Sequence, residues 1–207
     1  NHEKALSIID CVTSIGACNV PTDEWGLDIV ASGSQKGYMI PPGLSFISVS
    51  EKAWEACDKS NLPKFYLDLK YYKKSLNNNS NPYTPAVNLV FALEESLKMM
   101  QEEGLENIFQ RHEKHKLAVS NAIQALNLKL FADNNSLSPS ITAIESTQMD
   151  AETFRKIIKD RYDILLAGGQ DHLKGKIFRV GHLGYINDRD IMGAISVSYT
   201  HLTLPTI

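Results

Sequence analysis

Three short, mainly apolar runs near the start of the chain constrain its fold most strongly. They cover residues 5–9, 27–31 and 44–49. The first ends at Asp10, the second leads into Ser32-Gly33-Ser34, and the third follows Pro41-Pro42-Gly43. Apolar runs of this length between turn residues are typical of strands buried on both faces of a sheet. Open α/β sheets bind ligands beyond the carboxyl ends of their strands, so Asp10 and Ser32-Gly33-Ser34 mark the expected ligand edge.

The chain from there to Gly104 is predicted to be mostly helical. A short helix is expected at residues 51–58, and a polar, Asn-rich loop at 77–82. A longer helix follows, with Thr84 as its N-cap and Pro85 as its first residue, and Gly104 interrupts the pattern. The predicted apolar stripe of this helix contains Val87, Val90, Leu93, Leu97 and Met100.

Beyond Gly104, strand and helix patterns alternate, which predicts a small α+β domain. A second amphipathic helix carries Ile108, His112, Val119, Ile123 and Leu126 on its apolar side. Strands are expected at 128–131, 141–145, 164–167 and 177–180. We also expect a helix that is capped by Asp150 and a last helix that starts at Asp188. His112 falls on the apolar stripe and no further ligand is near in sequence, so we expect no metal site.

The predicted domains are a larger one at 1–104 and a smaller one at 105–198. Residues 199–207 depart from the helical pattern before them, because β-branched residues and Pro205 replace it. We interpret this stretch as a non-native tail and exclude it from the predicted fold. The chain begins with Asn1 rather than Met, so we expect it to be a fragment of a longer protein.

Composition argues against several classes of function. The 207 residues carry a net charge of −3, which does not favour a nucleic-acid backbone or an anionic membrane as partner. No apolar run approaches the ~20 residues that span a bilayer. The three cysteines have no regular spacing, so reduced thiols in a cytoplasmic enzyme are the simpler interpretation. We therefore expect a cytoplasmic protein with no nucleic-acid and no membrane partner.

Lys36 is the residue most suggestive of chemistry. It follows a predicted buried strand and lies among small residues, Ser34 and Gly37, which let a ligand approach the backbone. A desolvated lysine amine attacks carbonyl groups and forms a Schiff base. Taken alone, a surface lysine in a glycine-rich turn is the more common case.

Asp10 strengthens the catalytic interpretation. It ends a predicted strand that is otherwise apolar, and a carboxylate in such a place needs a partner. A carboxylate beside a pyridine nitrogen keeps that nitrogen protonated, and the ring then acts as an electron sink. The alternative is an ordinary turn or capping aspartate.

The segment Ser34-Gln35-Lys36, with Pro41-Pro42-Gly43 after it and Asp10 on the preceding strand, resembles the class V aminotransferases. This branch includes the alanine–glyoxylate and serine–glyoxylate aminotransferases. The resemblance extends from about Ala5 to about Val197. It implies a fold-type I transferase of the α/β class, with pyridoxal 5'-phosphate as cofactor. The chain would be the C-terminal part of the large α/β domain plus the small α+β C-terminal domain of a homodimer.

The resemblance implies roles for residues around the cofactor. Lys36 falls on the Schiff-base lysine, and Asp10 falls on the partner of the pyridine nitrogen. Val12 falls on a residue that packs against the ring, and Gln35 on one near the phosphate. Thr84 falls on a threonine that reaches the phosphate bound by the neighbouring subunit.

The implied reaction is transfer of an amino group from a small amino acid to a keto acid such as glyoxylate or pyruvate. Arg179 falls on the arginine that grips the substrate carboxylate, a role that suits a bidentate donor. Two alternatives stay open. A cysteine desulfurase-like lyase usually has a histidine before its lysine, whereas this chain has Gln35. The second alternative is a non-catalytic interaction module that keeps the fold. The joint presence of Asp10, Lys36 and Arg179 argues against it, because none of them is needed for packing.

Overall fold

The computed structural model describes residues 5–202, which form two compact units. Among these residues, one unit takes in 5–12 and 21–99, and the other takes in 13–20 and 100–202. The segment 13–20 therefore groups with the second unit, although it follows the first strand directly. Within residues 5–202, no helix is both long and apolar enough to cross a membrane.

The first unit is built on a three-stranded sheet. Its strands are β1 (Ile8–Asp10), β2 (Ile29–Gly33) and β3 (Ser45–Val49), and its helices are α1 (Glu51–Lys59), α2 (Leu69–Asn77) and the start of α3 (Val87–Glu103). The three predicted strands and the predicted short helix are confirmed. β1 runs parallel to β2, and β3 runs antiparallel to it. The carboxyl ends of β1 and β2 therefore share one edge of the sheet with the amino end of β3.

The expectation that these strands are buried on both faces is wrong for β1 and β3. All three residues of β1 are exposed, and Ile8 keeps 68% of its surface accessible. Ile47 of β3 is also exposed. Burial on both faces requires a layer of structure on each side of the sheet, and the described residues provide no such cover for β1.

Helix α3 differs from its prediction in both its start and its buried side. It begins at Val87 rather than Pro85, and its first i→i−4 bond runs from Val90 N to Ala86 O, so Thr84 is not the N-cap. Most of the predicted stripe faces outwards: Val87, Val90 and Leu97 are exposed, Leu93 is half-buried, and Met100 is buried. The helix instead packs through Leu89, which lies against Gly43, and through Ser96.

Asp28, which the sequence analysis did not single out, ties the first unit together. Its carboxylate is buried and accepts hydrogen bonds from Ser7 N (2.9 Å) and Ser50 Oγ (3.0 Å), and Lys52 Nζ lies 3.3 Å away. The Ser7 backbone bond, with smaller contributions from Ser50 and Lys52, lowers the pKa of Asp28 despite its burial. These bonds join the start of β1, the start of β2 and the N-terminus of α1.

The second unit packs helices against a four-stranded antiparallel sheet of order β4-β5-β7-β6. Its strands are β4 (Lys129–Leu130), β5 (Ile141–Glu145), β6 (Ala167–Gly168) and β7 (Ile177–Gly181), and its helices are α4 (Leu105–Ala125), α5 (Ala151–Tyr162) and α6 (Asp188–Leu202). The predicted helices and the strands predicted at 128–131, 141–145 and 177–180 are confirmed, including the Asp150 cap of α5. The strand predicted at 164–167 is wrong in its bounds, because only Ala167 and Gly168 pair with β7. The rings of Phe154 and Phe178, 4.7 Å apart, lie in the core.

The last helix continues further than the sequence pattern indicated. α6 runs through Tyr199 to Leu202, so the expectation that the helical pattern stops before Tyr199 is wrong. Thr200 is tolerated because its hydroxyl bonds back to Ser196 O, and Leu202 is buried in the core of the second unit. Residues 203–207, the remainder of the predicted tail, lie outside the described residues.

His182 is held neutral inside the second unit. Its Nδ1 donates to Pro139 O (3.0 Å), so Nε2 accepts from the Thr142 hydroxyl (2.9 Å). Burial is the main cause that lowers its pKa from 6.5 to about 4. His112 is held similarly, between Ile108 O and Gly184 N, and burial lowers its pKa as well.

We expect acid to destabilise this unit through His182. Between pH 6.5 and about pH 4 the unfolded chain binds a proton that the folded protein does not. The free energy of unfolding therefore falls as the pH drops through this window, by about 3 kcal/mol from this residue. Urea unfolding at pH 7 and pH 4.5 measures the loss. His182→Gln should flatten the pH dependence, whereas His172→Gln, at an exposed histidine, should not; equal slopes in both variants would contradict the assignment.

Candidate active site

Asp10 lies at the edge where β1 and β2 end. It pairs in register with Ala31 of β2, and its Oδ1 accepts a hydrogen bond from Val12 N at 2.9 Å. The carboxylate is exposed, which leaves its other oxygen open to a ligand. The neighbouring Cys11 is buried, and burial, with a smaller contribution from the charge of Asp10, raises the pKa of its thiol.

Gly33 lets two side chains lie close to the backbone at the end of β2. A methyl group placed there would lie 3.0 Å from Gln35 Oε1 and 3.8 Å from Val12 Cγ1. The first distance is tighter than an ordinary contact, so a side chain at this position would require Gln35 to shift. Val12 and Gln35 therefore both lie next to Gly33, and Asp10 is bonded to the backbone of Val12.

Lys36 lies in a loop that leaves the sheet edge and returns to β3. Its side chain is half-buried, and within residues 5–202 its ammonium group makes no hydrogen bond and no ion pair. Its carbonyl oxygen accepts from Met39 N at 3.0 Å and closes a turn in which Met39 has a φ of 61°. Within residues 5–202, no carboxylate therefore pairs with the amine, and the turn from Lys36 to Met39 fixes the backbone that carries it.

Tyr38 and Phe46 support the same loop. Their rings lie 4.5 Å apart, and the Ser96 hydroxyl on α3 donates to the carbonyl of Tyr38. Burial raises the pKa of the Tyr38 phenol, and the nearby Ser32 hydroxyl partly offsets this. Sequence patterns gave no sign of these contacts, since they join residues up to 58 positions apart.

Thr84 and Arg179 belong to other elements of the chain. Thr84 is exposed just before α3, and in the described part of the chain its hydroxyl makes no hydrogen bond. Arg179 belongs to the second unit, on β7, where its Nε donates to Gly168 O at 2.9 Å. No carboxylate among the described residues pairs with its guanidinium, so its two terminal nitrogens remain open to an anion.

The residues at the edge of the first unit fit pyridoxal phosphate. They supply an amine at Lys36 that has no partner among residues 5–202, a carboxylate oxygen at Asp10 that Val12 N does not use, and the side chains of Val12 and Gln35 next to Gly33. When bound, this cofactor supplies an aldehyde that condenses with amines and a pyridine ring that accepts electron density.

Known proteins resemble this chain over most of its length. A relative called soluble hydrogenase, small subunit, from Synechococcus sp. (strain PCC 6716) is 60% identical over 195 residues, which are 94% of this chain and 51% of the relative. An L-aspartate–glyoxylate aminotransferase from Paracoccus denitrificans is 38% identical and covers 94% of the chain and 50% of its own length. The crystal structure of alanine–glyoxylate aminotransferase from Nostoc sp. superposes with a TM-score of 0.88 at 28% identity, over 95% of this chain and 53% of that one.

These matches establish the fold and the family. The chain spans about half the length of the curated relatives it matches. Its fold is that of the corresponding part of fold-type I, pyridoxal-phosphate-dependent aminotransferases. The family model for aminotransferase class-V matches residues 1–182, and the chain therefore belongs to the class V aminotransferases.

Proposed function

We propose that this chain is the C-terminal part of a pyridoxal-phosphate-dependent aminotransferase, called the full-length protein below. The observation that carries the proposal is the position of Lys36. Its unpaired amine follows the strand end that lies beside Asp10, in a loop whose backbone is fixed. Family membership supports the same reaction class.

Lys36 is assigned two tasks. Its amine would hold the cofactor through the cofactor's aldehyde group, which is the group that condenses with amines. With a substrate amino acid in the site, the Lys36 amine would take the proton from the substrate Cα as a base and return it as an acid. A half-buried amine with no ion pair among residues 5–202 is suited to both tasks, because no carboxylate in that range holds it in place.

Asp10 is assigned the stabilisation of charge. With Oδ1 occupied by Val12 N, its second oxygen is the one that would accept a hydrogen bond from a protonated pyridine nitrogen. A carboxylate at that nitrogen would keep the nitrogen protonated, and the ring could then accept electron density. Val12 and Gln35, whose side chains both lie next to Gly33, would contact the ring and the phosphate.

Arg179 is assigned the substrate carboxylate, and its conservative variant provides a test. Arg179→Lys keeps the charge but loses both the bond to Gly168 O and the paired donor geometry. We expect kcat/KM for the amino acid to fall about 10- to 100-fold, with cofactor attachment unchanged. Steady-state kinetics of the full-length protein measures this. Arg189→Lys, at an exposed arginine, is the matched control; equal kinetics for the two variants would remove Arg179 from the site.

The proposed substrate class is supported by relatives whose names state a substrate. They are glyoxylate aminotransferases that use aspartate, serine or ureidoglycine. We propose that the full-length protein transfers an amino group from a small amino acid to glyoxylate or a similar keto acid. We also propose a homodimer in which Thr84, exposed and unbonded, reaches the phosphate in the partner's site.

The reaction is tested by supplying the full-length protein with serine, alanine or aspartate together with glyoxylate. Formation of glycine and of the matching keto acid is the expected result. Release of sulfide from cysteine without glycine formation would favour the cysteine desulfurase-like alternative. No turnover and no bound cofactor would favour a non-catalytic module.

A further inference from the structure

Ser34 closes the loop that carries Lys36, and all of its polar groups are used for this. Its N–H donates to Leu44 O (3.0 Å), and its carbonyl accepts from Ile40 N (3.3 Å). Its hydroxyl donates to Pro41 O (2.8 Å) and accepts from Leu44 N (3.1 Å). The residue is fully buried. The side chain thus joins the beginning of the loop to its end.

The end of the loop has further contacts. Leu44 accepts from Ser34 N, donates to Ser34 Oγ and leads directly into β3. Gly43 packs so closely on α3 that a methyl group there would lie 2.5 Å from Leu89 Cδ1. A side chain at this position would displace the Leu89 side chain, and the φ of 142° also favours glycine. The loop ends are therefore held against both the sheet and α3.

We infer that Ser34 is a positioning residue for Lys36: its hydroxyl fixes the loop geometry that presents the lysine amine at the sheet edge. The inference rests on the proposed function of Lys36. It goes beyond that function because it assigns a task to a buried hydroxyl two positions away whose hydrogen bonds go to Pro41 O and Leu44 N.

Removing the hydroxyl should loosen the loop without removing the fold. In Ser34→Ala the two backbone bonds to Leu44 and Ile40 remain, but Pro41 O and Leu44 N lose their partner. The loop between residues 34 and 44 then has more freedom, and the Lys36 amine is less often in the reactive position. Displacements of about an ångström are enough to slow a reaction on the order of 100-fold.

The experiment measures how fast pyridoxal phosphate becomes attached to Lys36 in cofactor-free full-length protein. The variants are Ser34→Ala and Ser34→Cys, the second of which keeps the size of the side chain but bonds weakly. Ser120→Ala is the control, because Ser120 is equally buried and its hydroxyl bonds only within α4. Growth of the visible band gives the rate, borohydride reduction and peptide mapping confirm Lys36, and the pH midpoint of the band reports the environment of the attached nitrogen.

We expect both Ser34 variants to attach the cofactor about 10-fold or more slowly than wild type, with a shifted pH midpoint, while Ser120→Ala matches wild type. If Ser34→Ala does not fold, Ser34→Cys carries the test. Wild-type rates and midpoint in a folded Ser34 variant would overturn the inference. Failure of wild type and control to attach the cofactor at Lys36 would instead overturn the proposed function, so the two failures are distinguishable.

Discussion

The Lys36→Ala variant of the full-length protein should lose transamination and bind pyridoxal phosphate only non-covalently. Loss of proton transfer alone should lower kcat on the order of 100- to 10,000-fold. The loss of the covalent link should also remove the visible band that borohydride bleaches. Within residues 5–202 the Lys36 amine has no ion pair, so the substitution breaks no salt bridge. A loss of activity can therefore be assigned to the missing amine rather than to lower stability.

Lys59→Ala is a suitable control for this variant. Lys59 is exposed at the end of α1, where its one ion pair among residues 5–202 is with Glu55. Unfolding curves of both variants should match wild type, which separates chemistry from stability. Lys36→Ala with wild-type turnover would mean that another group performs the proton transfer.

Asp10→Asn should cause the second-largest loss. The substitution preserves the size of the side chain and an oxygen that can accept from Val12 N, but it removes the negative charge. We expect kcat to fall on the order of 100- to 1,000-fold because charge stabilisation at the pyridine nitrogen is lost. The cofactor should still attach to Lys36. The visible band should therefore remain at its wild-type amplitude although turnover is slow.

Asp23→Asn provides the comparison for Asp10→Asn. Asp23 is exposed in the same unit and, among the residues described, only its backbone carbonyl is used, by Gly26 N. It should retain wild-type kinetics. If both substitutions leave kcat unchanged, the carboxylate of Asp10 does not face the cofactor.

The ligand edge of the first unit could be predicted from sequence because its signals are local. Short apolar runs bounded by glycine, proline and serine indicate where strands stop. Asp10 and Lys36 each follow such a run. Once β1 and β2 are parallel, their carboxyl ends meet at one edge, and the two residues come to the same side of the sheet.

Burial could not be predicted in the same way, because it depends on what covers each surface. An apolar strand such as β1 has the sequence of a buried element whether or not a neighbouring layer is present. The same holds for α3, whose spacing indicates one apolar stripe while Leu89 and Ser96 make the contacts. The chain spans about half the length of its relatives, so surfaces that are exposed here have no counterpart within the chain to bury them.

Networks of polar side chains were also missed. Asp28 gathers partners from Ser7, Ser50 and Lys52, which are 21 to 24 positions away. Ser34 bonds to residues at the far end of its loop. Serine and aspartate at such positions have the sequence appearance of ordinary turn residues, and only the folded chain distinguishes them.

The most direct test of the account is to reduce the full-length protein with borohydride as purified and to map the modified peptide by mass spectrometry. The account predicts a yellow protein whose colour is lost on reduction and a pyridoxyl group on Lys36. A protein that stays colourless and unmodified after incubation with pyridoxal phosphate, or one modified at a different lysine, would contradict it.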